Sequence, residues 1–262
     1  MLLLRYLKTF NFDVEKAQTL LQYSLEIRAS NPHIFTNRDI LSPELESVFN
    51  TWWIPSNYKV IIIEITLWFH SEIVPMLTAT PENFKVCILR LKDFNSDKFA
   101  FDDIVKGFFM MADLRLISPD PNEELADGEV PIFDMAGVTI WHALKIHLAT
   151  LKLYFKYVQE VSRNTWTWLK MSKFKHFQAH PVRVQQVHVI NCTSLITKIM
   201  SWIRPLMKPE VQARLNFHAP NTDTLLKFVP REVLPKEYDG FAGSIKDMRD
   251  FWMKRLHEKR YV

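Results

Sequence analysis

From residue 84 onward, short apolar runs alternate with longer amphipathic ones, and that alternation restricts the chain to few architectures. "KVCILRL" (85–91), "EVPIFDM" (129–135), "VQQVHVIN" (184–191) and "RLNFH" (214–218) have the length and apolar content of strands. The stretches 101–114, 141–160, 194–203 and 244–256 instead repeat apolar residues every three to four positions, as helices do. Pro205 must kink or end the third of these. Ser244 and Asp247 are placed as a capping box for the last, which carries Ile245, Met248, Trp252 and Leu256 on one face. Strands separated by helices predict an α/β domain with a mostly parallel sheet.

Ahead of this region the pattern is helical. Asp13 is placed to cap "VEKAQTLLQYSLEIRAS", with Val14, Ala17, Leu21, Ser24 and Leu25 on one face and Asn31-Pro32 as the stop. The chain has 262 residues, enough for one large domain and a small appendage. Its net charge of +4 permits an anionic partner without demanding one, so the placement of the charges matters more than their sum. "MLLLRYLKTF" reaches Arg5 after three leucines, too short an apolar run for a signal peptide. Val60 to Phe69 is about ten residues with Glu64 inside, whereas spanning a bilayer needs ~20. A cytoplasmic protein is expected, with Cys87 and Cys192 as buried thiols in a reducing compartment.

Catalytic equipment is missing from the pattern. The five glycines have neither the spacing of a phosphate-binding loop nor that of a dinucleotide fingerprint, which argues against nucleotide chemistry. No serine sits in a nucleophile elbow. His176 and His180 have the i,i+4 spacing of a metal site on a helix, but no carboxylate lies nearby to complete it. His188 and His218, at the ends of two strands, read as orienting hydrogen-bond partners. No catalytic residue, metal, cofactor or nucleic-acid partner is expected. What remains is an α/β domain with 19 Phe and 10 Met, which needs either a large core or a cavity for an apolar ligand.

Four ordered blocks carry a resemblance. "LLLRYLKTFNFDVEKAQTLL" (2–21), "GEVPIFDMAGVTIWHALKI" (128–146), "PVRVQQVHVINCTSLITKIMSWIRPLM" (181–207) and "RLNFHAPNTDTLLKFVPREVLPKEYDG" (214–240) resemble the CRAL-TRIO lipid-binding family. The resemblance implies a small helical N-terminal domain over 1–50 and a CRAL-TRIO domain over 80–240, followed by a C-terminal helix over 241–262. It implies a mixed, mostly parallel sheet flooring a lipid cavity, closed by a gate helix. The implied function is binding and transfer of one small lipophilic molecule, such as a retinoid or tocopherol, by a monomer that touches phosphoinositide membranes peripherally. Cavity residues expected from it are Phe108, Phe109, Ile132, Phe133, Trp141, Leu144, Val189, Ile196, Ile199, Met200 and Ile203. The basic positions matching the headgroup patch are Arg5, Lys8, Arg183, Arg204 and Arg214. Gln185 and Glu210 stand where tocopherol-type relatives carry basic residues, leaving the patch incomplete.

Other departures shape the expectation. The family has further helices before the first block, so the helical domain is read as truncated. Asp239 replaces a glycine that permits positive φ, a conformation Asp tolerates better than most residues. The span 51–79 is read as an atypical insertion and linker, because removing Trp52–His70 restores a family-like loop. A second atypical segment, 162–179, separates "YVQEV" from "HPVRVQQVH". The two are either intron-derived or spliced sequence, or evolved insertions; the second has the basic-aromatic composition of an interfacial helix. The alternative to a carrier is a membrane- or protein-binding module, or a variant with impaired ligand binding.

Overall fold

A computed structural model describes residues 2–36, 38, 71–117, 126–158, 181 and 183–258. Trp52–His70, the segment 162–179, and His176 and His180 within and beside it lie outside the described residues.

Helices α1 (Leu2–Thr9), α2 (Val14–Ser30) and α3 (Pro32–Phe35) open the chain. Asp13 caps α2, its side chain accepting from Lys16 N. The buried face of α2 is Ala17, Leu20, Tyr23, Ser24 and Ile27. Val14 and Leu25, expected inside, are exposed. The apolar stripe is wide enough for either choice. Packing on Tyr6 of α1 and on Phe109 and Tyr157 further along the chain selects the inner one.

Strand β1 (Ser71–Ala79) pairs antiparallel with β2 (Phe84–Leu91). Then follow α4 (Phe101–Ile117), β3 (Gly128–Asp134), α5 (Ile140–Leu144), α6 (Leu148–Val158), β4 (Val187–Ile190), α7 (Ser194–Ile203), α8 (Pro209–Gln212), β5 (Leu215–Phe217) and α9 (Ile245–Glu258). Among the described residues the sheet has five strands in the order β1-β2-β3-β4-β5, with β2 to β5 parallel. The expected mixed, mostly parallel α/β sheet is what the structure has. Two expectations differ in detail. Ser71–Ala79, read as linker, is the antiparallel edge strand. The single helix expected over 141–160 is broken between α5 and α6 at Lys145–His147.

Sheet order places the rest. Parallel neighbours in sequential order, joined by right-handed crossovers, send every connecting helix to the same face. That face carries α4, α6 and α7. The opposite face packs Val86, Ile88, Val130 and Ile132 against Leu225, Val229, Val233, Leu234, Ile245 and Met248 from the closing segment. Helix α9 has the Ser244–Asp247 capping box: Asp247 N donates to Ser244 Oγ at 3.1 Å and Ser244 N to Asp247 Oδ2 at 3.2 Å. Its Ile245, Met248, Trp252 and Leu256 are all buried. Buried Glu72 of β1 holds both Arg90 (2.7 Å) and Arg249 (3.0 Å), tying α9 to the sheet edge. Asp239 adopts the left-handed conformation expected of it, with φ 56°.

Candidate functional site

Strand alternation sorts the central residues between two environments. On β3, Pro131 and Phe133 face the helices while Val130 and Ile132 face the opposite core. On β4, Val187 and Val189 face the helices, and His188 turns the other way. The helix-facing residues do not meet the helices everywhere. They floor a cavity of ≈ 250 Å³. Its floor includes Leu89, Phe133, Val187, Val189 and Leu215. Ile104, Phe108, Leu151, Tyr154 and Phe155 of α4 and α6 form the wall. Met200 and Ile203 of α7, with Met207 and Val211 beyond it, form the cover. The lining is almost wholly apolar; Arg214 is its one guanidinium among the described residues.

Of the residues expected at a lipid cavity, Phe108, Phe133, Val189, Met200 and Ile203 are brought together in this lining. The others are placed elsewhere. Ile132 has the opposite strand parity and lies in the far core. Phe109 is one helical step from Phe108 and packs under α3, 4.9 Å from the Phe35 ring and 4.6 Å from that of Tyr157. Ile196 and Ile199 are buried in the seat of α7, beside the cavity. Trp141 and Leu144 point outward from α5, 64% and 63% exposed. Sequence reasoning passed over Leu151, Tyr154, Phe155 and Val158. Their i, i+3, i+4, i+7 spacing on α6 was the available signal.

The five expected basic residues divide as well. Arg5, Lys8 and Arg183 surround one polar cleft of ≈ 100 Å³, with Thr9, Asn11 and Asp127. Lys8 pairs with Asp127 at 3.1 Å, Arg5 donates to Arg115 O at 2.9 Å, and Arg183 donates to Thr9 O. Arg214 instead lines the apolar cavity and donates to Val184 O. Arg204 is exposed at the end of α7, its guanidinium 5.7 Å from the Phe217 ring centre.

His188 and His218 contact each other, Nδ1 to Nε2 at 2.9 Å. Gln186 Oε1 lies 3.0 Å from His188 Nε2 and must accept, so the network assigns that proton to Nε2. His188 Nδ1 then accepts from His218 Nε2–H, and His218 Nδ1 accepts from Thr224 Oγ1 at 2.8 Å. Both rings are neutral and directed one way along the chain, an orienting role. Burial first, then the neighbouring His218, push His188 down to about 4. Stability from this pair is full above the unfolded histidine value near ~6.5 and is lost as pH falls through the native value. Unfolding midpoints measured from pH 7 to 4 should therefore fall, with His188→Asn flattening roughly 3 kcal/mol of the slope. An identical slope in the variant would rule the pair out as its source.

Cys87 is buried, and burial pushes its thiol up to about 12; Cys192 is half-buried, and both are free. Among the described residues no group of acids, cysteines and histidines could hold a metal, and no helix is long and apolar enough to cross a membrane.

Comparison with known proteins fits this geometry. Residues 163–240 match the CRAL/TRIO domain model, a span that covers β4, the cavity cover and the closing segment. Over that span the chain is similar to CRAL/TRIO domains. Residues 1–45 match a Pinta-like UBA domain model. The CRAL/TRIO match begins inside the segment 162–179 that sequence reading set apart from the family. "Alpha-tocopherol transfer protein-like" of Mus musculus is 23% identical over 244 residues, 93% of this chain and 59% of that protein. Clavesin-2 of Rattus norvegicus is 22% identical over 177 residues, 68% of this chain and 47% of that protein. The chain thus spans under two thirds of the length of these relatives. The crystal structure of Sfh5 superposes with a TM-score of 0.49 at 13% identity, covering 99% of this chain and 80% of that one.

Proposed function

We propose that this chain is a lipid carrier rather than an enzyme, and that the ≈ 250 Å³ cavity between sheet and α7 takes one lipophilic molecule. The cavity is the observation that carries the reading: apolar side chains enclose it on floor, wall and cover. Burying ~400 Å² of apolar ligand at ~25 cal/mol/Å² yields at most ~10 kcal/mol before association costs, enough for micromolar or tighter binding. A retinoid or a tocopherol is the class to test, and tocopherol is the lipid that gives one relative its name. The protein works as a cytoplasmic monomer that meets membranes peripherally. The decisive experiment is native mass spectrometry of the full chain after expression. A co-purifying lipid, or uptake of added retinol or α-tocopherol, supports the reading; a chain that takes up no lipophile overturns it.

The cleft of Arg5, Lys8 and Arg183 is proposed as the phosphoinositide headgroup site. It gathers three cations around one carboxylate, Asp127. Each Lys or Arg near an anionic surface contributes ~1 kcal/mol, and reversing its sign adds repulsion of similar size. Lys8→Glu with Arg183→Glu should abolish sedimentation with vesicles containing phosphatidylinositol bisphosphate while lipophile uptake persists. Undiminished sedimentation would discard the cleft. Arg214 is left out of this test because it lines the lipid cavity.

A further inference from the structure

One hydroxyl in the apolar lining makes no hydrogen bond to the protein. Among the described residues, Tyr154 of α6 and Arg214 bring the only side-chain N–H or O–H groups to the cavity of ≈ 250 Å³. Arg214 donates to Val184 O. Nothing among the described residues bonds the Tyr154 hydroxyl. Other tyrosines differ: Tyr157 Oη accepts from Arg28, and Tyr238 Oη donates to Asp134 Oδ2 at 2.7 Å. The Tyr154 ring is held by Phe108, Phe109 and Phe155, with centroids 5.2, 6.3 and 5.6 Å away. Tyr154 also lines a side chamber of ≈ 30 Å³, with Cys87, Arg115 and Glu129. The residue is half-buried, and the surface it keeps opens onto these two spaces. Burial first, then Cys87 and Glu129, hold the phenol above its ordinary value, so it is a neutral O–H at neutral pH. Glu129 is itself paired with Arg115 at 2.7 Å.

We infer that the Tyr154 hydroxyl is the polar contact that fixes the head of the ligand, so that the cavity takes a lipophile bearing a hydroxyl and discriminates against the same molecule without it. The inference rests on the carrier reading and specifies its ligand. In the empty cavity water can hydrate the phenol. An occupant that expels this water must replace its hydrogen bond, because a polar group buried without a partner keeps the full cost of its desolvation. A ligand hydroxyl matches the phenol in either direction, since each can donate and each can accept. A hydrocarbon covers the phenol and leaves it unmet, which is how sites built around a hydrogen bond reject analogues lacking the polar group. The aromatic clamp on the Tyr154 ring limits how far its hydroxyl can turn away from such an occupant.

The test titrates two matched pairs into the full chain, read by tryptophan quenching: retinol with anhydroretinol, and α-tocopherol with deoxy-α-tocopherol. In whichever pair binds, wild type should hold the hydroxyl compound at least about tenfold more tightly. Tyr154→Phe deletes the hydroxyl and keeps the ring. It should bring the two members of the pair to within about twofold, by weakening the hydroxyl compound. Its ligand-free melting midpoint should match that of wild type, since no hydrogen bond within the protein is lost. Tyr157→Phe is the opposite control: it removes a bonded hydroxyl, and should lower the midpoint while the preference for the hydroxyl compound stays. Equal wild-type affinities within each pair overturn the inference. So does a preference that survives Tyr154→Phe, which would place recognition at another group. A lowered ligand-free midpoint in Tyr154→Phe also overturns it, by showing that the hydroxyl serves the fold. Failure of all four compounds to bind overturns the carrier reading beneath it.

Discussion

Val187→Asp is expected to lower the affinity for any lipophilic ligand by about 100-fold or more while the protein stays folded. Val187 lies on β4 with its side chain in the cavity floor, paired across the sheet with Leu215. Asp is close to Val in size, so the shape of the floor is kept. Without ligand, water entering the cavity can solvate the new carboxylate, which limits the cost to folding. With ligand bound that water is gone. The carboxylate must then be buried unpaired or take up a proton, a penalty of several kcal/mol that falls on the complex alone. Retinol titration with parallel measurement of the melting midpoint reads both terms. Unchanged affinity would place the ligand outside this cavity, whatever the midpoint does.

The position of Val187 shows how far the sequence carries and where it stops. Its strand was legible as an apolar run, and so were β2, β3, α4, α7 and α9, because each repeats at the period of one element. Parity was legible too: adjacent residues such as Ile132 and Phe133 cannot share a face. The sequence does not say which face of a two-sided buried sheet will be left unfilled, since both carry residues of the same kind. The same limit governs Phe108 and Phe109, where one helical step separates cavity from core. The break between α5 and α6 has no Gly or Pro to announce it. It arises where Ile146 turns into the cavity and Lys145 Nζ reaches Ser96 O at 2.6 Å, contacts made only in the folded chain. β1 was hidden by Pro75, a residue that argues against a central strand. An edge strand tolerates it, and the register shifts between Pro75 and Ala79. Trp252 Nε1 donates to Pro75 O at 2.7 Å and fixes the irregular edge to α9. The basic cleft was only partly legible, because Arg5, Lys8 and Arg183 are joined by tertiary packing of α1 on the segment before β4.

Asp113→Asn should cost about 3–5 kcal/mol, the scale of stripping one partner from a buried charge cluster. Asp113 on α4 takes both guanidinium arms of Arg28, at 2.8 and 2.5 Å, and Arg38 at 2.5 Å. The two guanidiniums also lie over the Phe35 ring, 5.0 and 4.9 Å from its centre. One carboxylate thus neutralises two cations at the joint where α2 and α3 meet α4 and α6. Asparagine keeps the shape but removes the charge, leaving two mostly buried guanidiniums facing each other. Burial pushes the Asp113 carboxyl up, but the bonds and charges of Arg28 and Arg38 outweigh it and hold the group below the usual carboxylate range. The native value is depressed, so the clamp contributes fully above the unfolded value near ~3.9 and is lost as pH falls through the native one. Denaturation at pH 7 should show the full deficit, and the gap between variant and wild type should close only in strong acid. Protease should cut the 14–36 segment of the variant sooner than the sheet, since the helices lose their anchor before the cavity loses its floor. A deficit under about 1 kcal/mol would mean that solvent screens the cluster like a surface pair. The packing of Ala17, Leu20 and Ile27 would then hold α2 and α3 in place.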